Sequence, residues 1–225
     1  MRLVTAGNLG YFAAGTAGGQ PSIWYSTNGL QWSLSSAATR FFDGLPAAHI
    51  NTLLATSGLV YAAGSVGDGA ATDAALWSTQ DGLNWRAAQP PLGGFSGQGD
   101  HVITGLAELG TGQGGTVGLV AVGALDSGSV WTPASWISPD GVTWSQPYAS
   151  FPQEGTVGGV VRSVAAVPTL AGTSEFFAVG GNDSVQEAWQ SADGMRWTPL
   201  PLPSQAAAST GWRATTVSSN GTAIG

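Results

Sequence analysis

The chain has 225 residues, no cysteine and a formal net charge of −7, with 13 acidic residues against six arginines and no lysine. This charge balance offers no basic patch to a nucleic acid or an anionic membrane, and the lack of cysteine excludes disulfides and thiolate chemistry. The 35 glycines and 12 prolines suit a folded chain of strands and turns. The sequence contains no run of about 18 apolar residues, so no segment is predicted to cross a bilayer.

The first unit contains the elements that the rest of the chain repeats. A β-prone run after Met1 is followed by Ala13-Ala14-Gly15, by a run that ends at Trp24 and by a short run that begins at Trp32. Between the two tryptophans lies Asn28-Gly29, which predicts a tight hairpin turn because Gly adopts positive φ without steric cost. One unit is therefore predicted to contain four short strands.

The nine-residue phrase between the two tryptophans returns three more times, at intervals of 53 to 59 residues, and the four copies use eight of the ten tryptophans. Its hydroxyl and its acid or amide are predicted to hydrogen-bond the turn backbone, which is a structural role. The residues of this phrase are Ser26, Asn28, Gly29 and Trp32; Thr79, Asp81, Gly82 and Trp85; Ser138, Asp140, Gly141 and Trp144; and Ser191, Asp193, Gly194 and Trp197.

These phrases predict a single domain. Its repeated units are about 1–47, 48–100, 101–158 and 159–211, followed by a partial unit 212–225. Four-stranded units in series without helical periodicity predict an all-β fold, a β-propeller of four full blades and half of a fifth. Because no half-blade at the start matches the one at the end, we expect part of a ring of about six to eight blades. The alternative is a closed four-blade ring with a displaced tail.

The repeated phrase resembles the Asp-box, or bacterial neuraminidase repeat, of sialidase-like propellers, in the variant form Trp-x-[Ser/Thr]-x-[Asp/Asn]-Gly-x-x-Trp. The family pattern has one residue between Asp and Gly, whereas here the two adjoin. The resemblance implies a propeller but no particular reaction, since proteins with this box have unrelated activities. It also implies a bacterial protein located outside the cell or in the cell envelope, although this chain starts at Met1 without a signal-peptide pattern.

Ligands are expected on the rim opposite the box turns, where the loops carry most of the acidic residues and both histidines. The rim candidates are Asp43, His49, Asp68, Asp73, Asp100, His101, Asp126, Trp131, Asp183, Arg162 and Arg213. No residue is assigned a catalytic role, and neither a cofactor nor a metal is predicted. Three alternatives stay open: solvated charge on the loops without a chemical role, Asp100 beside His101 as a proton-transfer pair, and Gly67-Asp68-Gly69 with Asp73 as oxygen ligands for calcium.

These observations favour a non-catalytic scaffold that binds a glycan or a protein on its loop rim. The alternative is a sialidase-like glycoside hydrolase acting on acidic sugars, since Arg2, Arg162 and Arg213 recur at similar places and guanidinium binds carboxylate through two hydrogen bonds. No Arg-Ile-Pro signature of that family is present. Self-association through open blade edges is a further expected contact. The pair Phe41-Phe42 either binds a partner or folds back onto its blade.

Overall fold

This computed structural model describes most of the chain. The described residues are 1–67, 71–87, 95–109, 118–126, 128, 130–147, 150–152, 158–169, 174–182 and 185–202. The predictions made for Asp68, Asp183, Arg213 and the partial fifth unit lie outside these ranges.

The described residues form four antiparallel sheets, each in chain order. The first sheet contains β1 (Leu3–Gly7), β2 (Gly10–Ala17), β3 (Gln20–Ser26) and β4 (Ser33–Leu34), and the second contains β5 (His49–Ala55), β6 (Val60–Gly67), β7 (Thr72–Thr79) and β8 (Arg86–Ala87). The third contains β9 (His101–Leu109), β10 (Gly118–Asp126) and β11 (Trp131–Ser138), with a single bridge from Ile137 to Ser145, and the fourth contains β12 (Val160–Pro168), β13 (Ser174–Gly181), β14 (Gln186–Ser191) and β15 (Thr198–Leu200). The prediction of an all-β fold built from four-stranded units is confirmed.

A short helix, α1 (Ser36–Asp43), follows the first sheet, where the sequence predicted a loop. Ser35 caps it by accepting a hydrogen bond from the Ala38 amide at 3.3 Å, and the helix buries Ala38 and Phe42. Two turns of helix are too short to give a clear periodic signal. Asp43 therefore lies at the end of a helix and not in a loop.

The first strands of successive sheets pack against one another, β1 on β5, β5 on β9 and β9 on β12. Hydrogen bonds join them across the sheets: the Ala55 amide donates to Thr5 Oγ1 at 3.0 Å, and Asn51 Nδ2 donates to the Ile103 carbonyl at 3.0 Å. The first strand of each sheet is thus the inner strand of an arc, as in a propeller blade.

Three hydrophobic layers fill the spaces between neighbouring sheets. In each layer a phenylalanine from the connection between two sheets packs on both box tryptophans of the second sheet. The ring centroids of Phe42 lie 5.1 and 5.6 Å from Trp77 and Trp85, those of Phe95 5.8 and 6.0 Å from Trp136 and Trp144, and those of Phe151 5.2 and 5.1 Å from Trp189 and Trp197. Phe42 therefore folds back into the core, and the partner-binding alternative for the Phe41-Phe42 pair is wrong for Phe42.

The Ala-x-Gly phrase is explained by a β-bulge in the inner strand. Asn51 is left unpaired between Ile50, which faces Gly64, and Thr52, which faces Ala63. A Cβ on Gly64 would lie 1.9 Å from the His49 carbonyl oxygen, so no other residue fits opposite the bulge. Register shifts occur at the same place in the third and fourth sheets, opposite Gly123 and Gly180.

Candidate functional site

The four box turns are closed by their own side chains. In the second box, Thr79 Oγ1 accepts from the Gly82 amide at 3.0 Å, and Asp81 Oδ1 accepts from the amides of Leu83 and Asn84 at 2.8 and 2.7 Å. Asn28, Asp140 and Asp193 accept the same two amide bonds in the other boxes. The four box glycines have φ between +71° and +74°, the region that Gly adopts without strain.

These hydrogen bonds stabilise the ionised form of the box carboxylates. The backbone amide of Asn84 is the first of several donors that hold the pKa of Asp81 well below its usual range, and the Thr143 amide does the same for Asp140. At Asp193 burial raises the pKa, but the amides of Arg196 and Met195 together with the Ser191 hydroxyl outweigh it and lower the pKa. Such carboxylates are acceptors in a fixed turn.

The second, third and fourth box turns also contact the preceding sheet. A Cβ on Gly82 would lie 2.6 Å from Cε1 of Phe12, and one on Gly141 would lie 2.1 Å from Oη of Tyr61. Gly194 meets Val120 in the same way, at 2.4 Å. These three box turns are therefore part of the contact between blades.

The described rim candidates lie at strand ends opposite the box turns. His49 begins β5, His101 begins β9, Asp126 ends β10 and Trp131 begins β11. Asp73 lies in β7, where the sequence placed a loop, and is exposed. Trp131 and Asp126 face each other across β10 and β11.

Asp100 and His101 do not form the proton-transfer pair that their adjacency suggested. Asp100 Oδ1 accepts hydrogen bonds from the backbone amide and the hydroxyl of Thr72, at 2.7 and 2.9 Å, and the Asp100 carbonyl accepts from the Asp126 amide at 2.6 Å. The His101 ring is buried, and its Nδ1 has no hydrogen-bond partner within the described part of the chain. Asp100 thus ties the second sheet to the third.

An open cavity of about 160 Å³ lies on this rim between the first and second sheets. Its polar lining includes Arg2, Thr16, His49 and Asn51. Leu3, Pro21, Ala48 and Ile50 add apolar lining. The cavity is smaller than the ~300 Å³ of common small-molecule pockets, so it fits one small group or one end of a longer ligand.

Arg2, Asn51 and Arg162 occupy equivalent positions in their sheets. Each precedes the residue that pairs with the second residue of the Ala-x-Gly phrase, and Arg162 lies at the register shift of β12 as Asn51 does in β5. The recurrence of arginine at the start of the units points to the two arginines but not to Asn51, which an alignment of the repeats on Gly15, Gly64 and Gly180 places at the same position. Of the three, Arg2 and Asn51 share the cavity.

The described residues show no group of three or more His, Asp or Glu side chains that could hold a metal ion. The calcium alternative depended on Asp68, which lies outside them. No helix of the described chain is long and apolar enough to cross a membrane.

No protein-family model and no curated protein matches this chain. Among solved structures, it is similar to an α-L-arabinanase from Penicillium chrysogenum bound to arabinobiose, with 14% identity, 96% of this chain and 69% of that one covered, and a TM-score of 0.57. It is also similar to a GH74 xyloglucanase from Xanthomonas campestris, with 14% identity, 88% and 29% covered, and a TM-score of 0.51. A glycosyl hydrolase from Bacteroides ovatus matches at 14% identity and a TM-score of 0.46, with 68% of this chain and 49% of that one covered.

The chain thus spans about half the length of glycoside hydrolases such as the one from Bacteroides ovatus. At 14% identity the likeness to the arabinanase and the xyloglucanase shows the fold alone. The protein is an all-β chain whose four sheets are arranged as the blades of a β-propeller.

Proposed function

We propose that this chain is a non-catalytic propeller scaffold that binds a glycan on its loop rim, in the cavity between the first and second sheets. The observation that carries the proposal is the cavity itself, whose lining combines the polar residues Arg2, Thr16 and His49 with the apolar residues Pro21 and Ile50. A sugar ring presents hydroxyl groups around its edge and C–H groups on its faces, and a lining of this mixed kind suits both.

The lining supports binding without hydrolysis. Glycoside hydrolysis generally needs two carboxyl groups on either side of the scissile bond. No Asp or Glu is among the described residues that line the cavity. Among the rim acids, Asp100 already accepts two hydrogen bonds from Thr72. A propeller neighbour that was solved with arabinobiose adds support for a carbohydrate ligand.

Titration calorimetry with arabinobiose, a xylo-oligosaccharide and a sialyl-lactose tests the proposal. We expect saturable binding of one of these sugars, weakened at least about tenfold in His49→Ala, because a hydrogen bond lost from a buried ligand contact costs about 1.4 kcal/mol or more. The matched control is Gln31→Ala, an exposed polar residue of the first box turn that does not line the cavity. Binding of none of the three sugars contradicts the proposal.

A fluorogenic sialoside separates this function from the enzymatic alternative. Turnover that is abolished in Arg162→Ala would contradict the scaffold proposal in favour of a sialidase-like hydrolase, whereas binding without turnover agrees with a scaffold.

The proposal also includes the repeat boundaries given above, the role of the box as an Asp-box variant, and a location outside the cell or in the envelope of a bacterium.

A further inference from the structure

The first box differs from the other three in one chemically reactive side chain. Its turn contains Asn28-Gly29, where the other boxes have Asp-Gly at 81–82, 140–141 and 193–194. The side-chain amide of asparagine is thermally labile. It is most labile before glycine, because the missing side chain of glycine leaves its backbone nitrogen unhindered for attack on the asparagine Cγ. Asn28 is therefore a candidate for chemical modification.

The reaction at Asn28 needs no reagent other than water. The Gly29 nitrogen forms a bond to Asn28 Cγ, the bond from Cγ to Nδ2 breaks, and the proton of the Gly29 amide leaves with Nδ2 as ammonia. Water then opens the cyclic imide. Attack of water on Cγ leaves an ordinary aspartate, whereas attack on the backbone carbonyl carbon gives isoaspartate, which has an extra methylene group in the main chain.

The first box turn is open to water. Thr27 and Asn28 are exposed, and Leu30 is 85% exposed. Water can therefore reach both carbonyl carbons of the imide. A new carboxylate at position 28 would also stay solvated, so its charge carries no cost of burial.

The closed turn keeps the two reacting groups in hydrogen bonds. The Gly29 amide donates to Ser26 Oγ at 2.9 Å, and Ser26 Oγ donates to Asn28 Oδ1 at 3.2 Å. Asn28 Oδ1 also accepts from the amides of Leu30 and Gln31 at 2.9 and 3.0 Å. The Gly29 nitrogen has to leave Ser26, and the Asn28 side chain has to leave these amides, before the ring can form. The reaction therefore goes through a locally opened turn.

The aspartate product fits the closed turn. Asp81 Oδ1 accepts from the amides of Leu83 and Asn84 at 2.8 and 2.7 Å and from the Thr79 hydroxyl at 3.0 Å. These are the same three hydrogen bonds that Asn28 makes in the first box. A carboxylate accepts them more strongly than an amide does, because the acceptor is charged.

We propose that Asn28 is a site of spontaneous deamidation, that opening of the first box turn controls its rate, and that conversion to aspartate gives this box the carboxylate of the other three. The chain then gains one negative charge at an exposed turn. Asn28 does not line the rim cavity, so this modification and the glycan proposal stand or fall separately.

Peptide mass spectrometry of the folded chain, kept in mildly alkaline buffer, tests the modification. We expect the peptide that contains Asn28 to gain about one mass unit as ammonia is released. Ser26→Ala removes the acceptor of the Gly29 amide and should raise the rate about fivefold or more, because the open turn becomes more populated. The matched control is Ser191→Ala, which removes the equivalent acceptor of the fourth box and should leave the rate at Asn28 unchanged.

Two further measurements separate control by the turn from misfolding. Ser26→Thr copies Thr79 of the second box and should keep the wild-type rate. In the wild type, denaturant below the unfolding transition should accelerate the reaction. The other Asn-Gly pair, Asn220-Gly221, is measured in a separate peptide. Equal rates in wild type and a folded Ser26→Ala overturn the proposal, as does an Asn28 amide that persists in both while the denatured chain converts.

The Asn28→Asp variant tests the product. It should co-elute with the converted chain on an anion exchanger, and it should melt no lower than the wild type at neutral pH. A lower melting temperature would show that the first box does not accept the carboxylate, which overturns that part of the proposal. A converted chain that contains mainly isoaspartate does the same, since the turn then does not hold the ordinary product.

Discussion

The glycines of the second, third and fourth box turns each meet two separate requirements. The positive φ closes the hairpin, and the missing Cβ lets the turn approach the preceding sheet, where a Cβ on Gly141 would lie 2.1 Å from Tyr61 Oη. Gly18 meets only the first requirement, because it has φ +60° but no atom of the described residues within 4 Å of its Cβ position. The two glycines therefore separate backbone strain from contact between blades.

Gly141→Ala should destabilise the protein by about 3 kcal/mol or more, from backbone strain together with overpacking against a buried ring. Gly18→Ala should cost only about 1 kcal/mol, from strain alone. Chemical denaturation of both variants measures the difference. Adding Tyr61→Phe to Gly141→Ala removes the Oη atom and should restore part of the loss; equal losses in Gly141→Ala and Gly18→Ala would show that the contact between blades is absent.

The sequence predicted one of these requirements and not the other, for a physical reason. Asn-Gly and Asp-Gly are local turn signals, so the turn conformation can be inferred from adjacent residues alone. The contact between Gly141 and Tyr61 joins residues 80 positions apart, as 141 minus 61 gives, and nothing in the local pattern identifies the partner.

At the scale of the element, the inner strand of each sheet combines a bulge with a facing glycine. In the second sheet the bulge at Asn51 brings the His49 carbonyl to within 1.9 Å of the Cβ position of Gly64. The bulge also directs Asn51 to the next inner strand, where its side chain donates to the Ile103 carbonyl. The same bulge brings Asn51 to the cavity beside His49.

Gly64→Ala should destabilise the protein by about 3 kcal/mol, because the new methyl group can fit only if the bulge is displaced. Hydrogen exchange of the Thr52 and Leu53 amides should become faster in this variant. Gly58→Ala is the control, since within the described part of the chain nothing lies within 4 Å of its Cβ position and its φ is not positive. If both variants unfold at the same denaturant concentration, the glycine does not hold the bulge.

The number and order of the strands in each unit could be predicted from the repeated phrases, but three other features could not. The helix α1 is too short for a periodic signal, and the bulge has no local sequence signature. The phenylalanines of the connections lie 35, 41 and 38 residues before the first tryptophan they contact, as 77 minus 42, 136 minus 95 and 189 minus 151 give. This uneven spacing hid Phe42, Phe95 and Phe151 among unrelated aromatic residues.

At the scale of the whole molecule, the box turns give the fold a dependence on pH. The pKa values of Asp81, Asp140 and Asp193 are lower in the folded state than the usual 3.8, so ionised box carboxylates favour folding. Their contribution is present above about pH 4 and is lost as the pH falls through the lowered folded values. Burial raises the pKa values of Glu108 and Glu187, which therefore act in the opposite direction.

Replacing Asp81, Asp140 and Asp193 by Asn should flatten the loss of stability on the acid side. Asn28 shows that an amide makes the same two backbone hydrogen bonds without titrating. Thermal melts of the triple variant and the wild type between about pH 2 and pH 6 measure the difference in stability between the two proteins. Both proteins contain Glu108 and Glu187, so the effects of these two residues cancel in that difference. If the melting temperatures of the two proteins changed with pH by the same amount, these carboxylates would not be stabilised in the folded state.

The sequence could predict blades but not the shape of the array. Repetition of a local phrase specifies how many units there are, whereas the angle between neighbouring sheets depends on side chains such as Phe95 that lie between them. The rim location of His49 and Trp131 followed from blade topology. The cavity could not be predicted from blade topology, because it forms only where the bulge of one sheet lies beside the start of another.

The covering of Phe12 by Gly82 and of Val120 by Gly194 has a consequence for a chain that is still being synthesised. The covering turn lies 70 and 74 residues further along, as 82 minus 12 and 194 minus 120 give. A newly made unit consequently keeps its aromatic or aliphatic side chain open to solvent until the following unit has been translated. Each blade completes the one before it, so the order of translation sets the order in which the array becomes protected from aggregation.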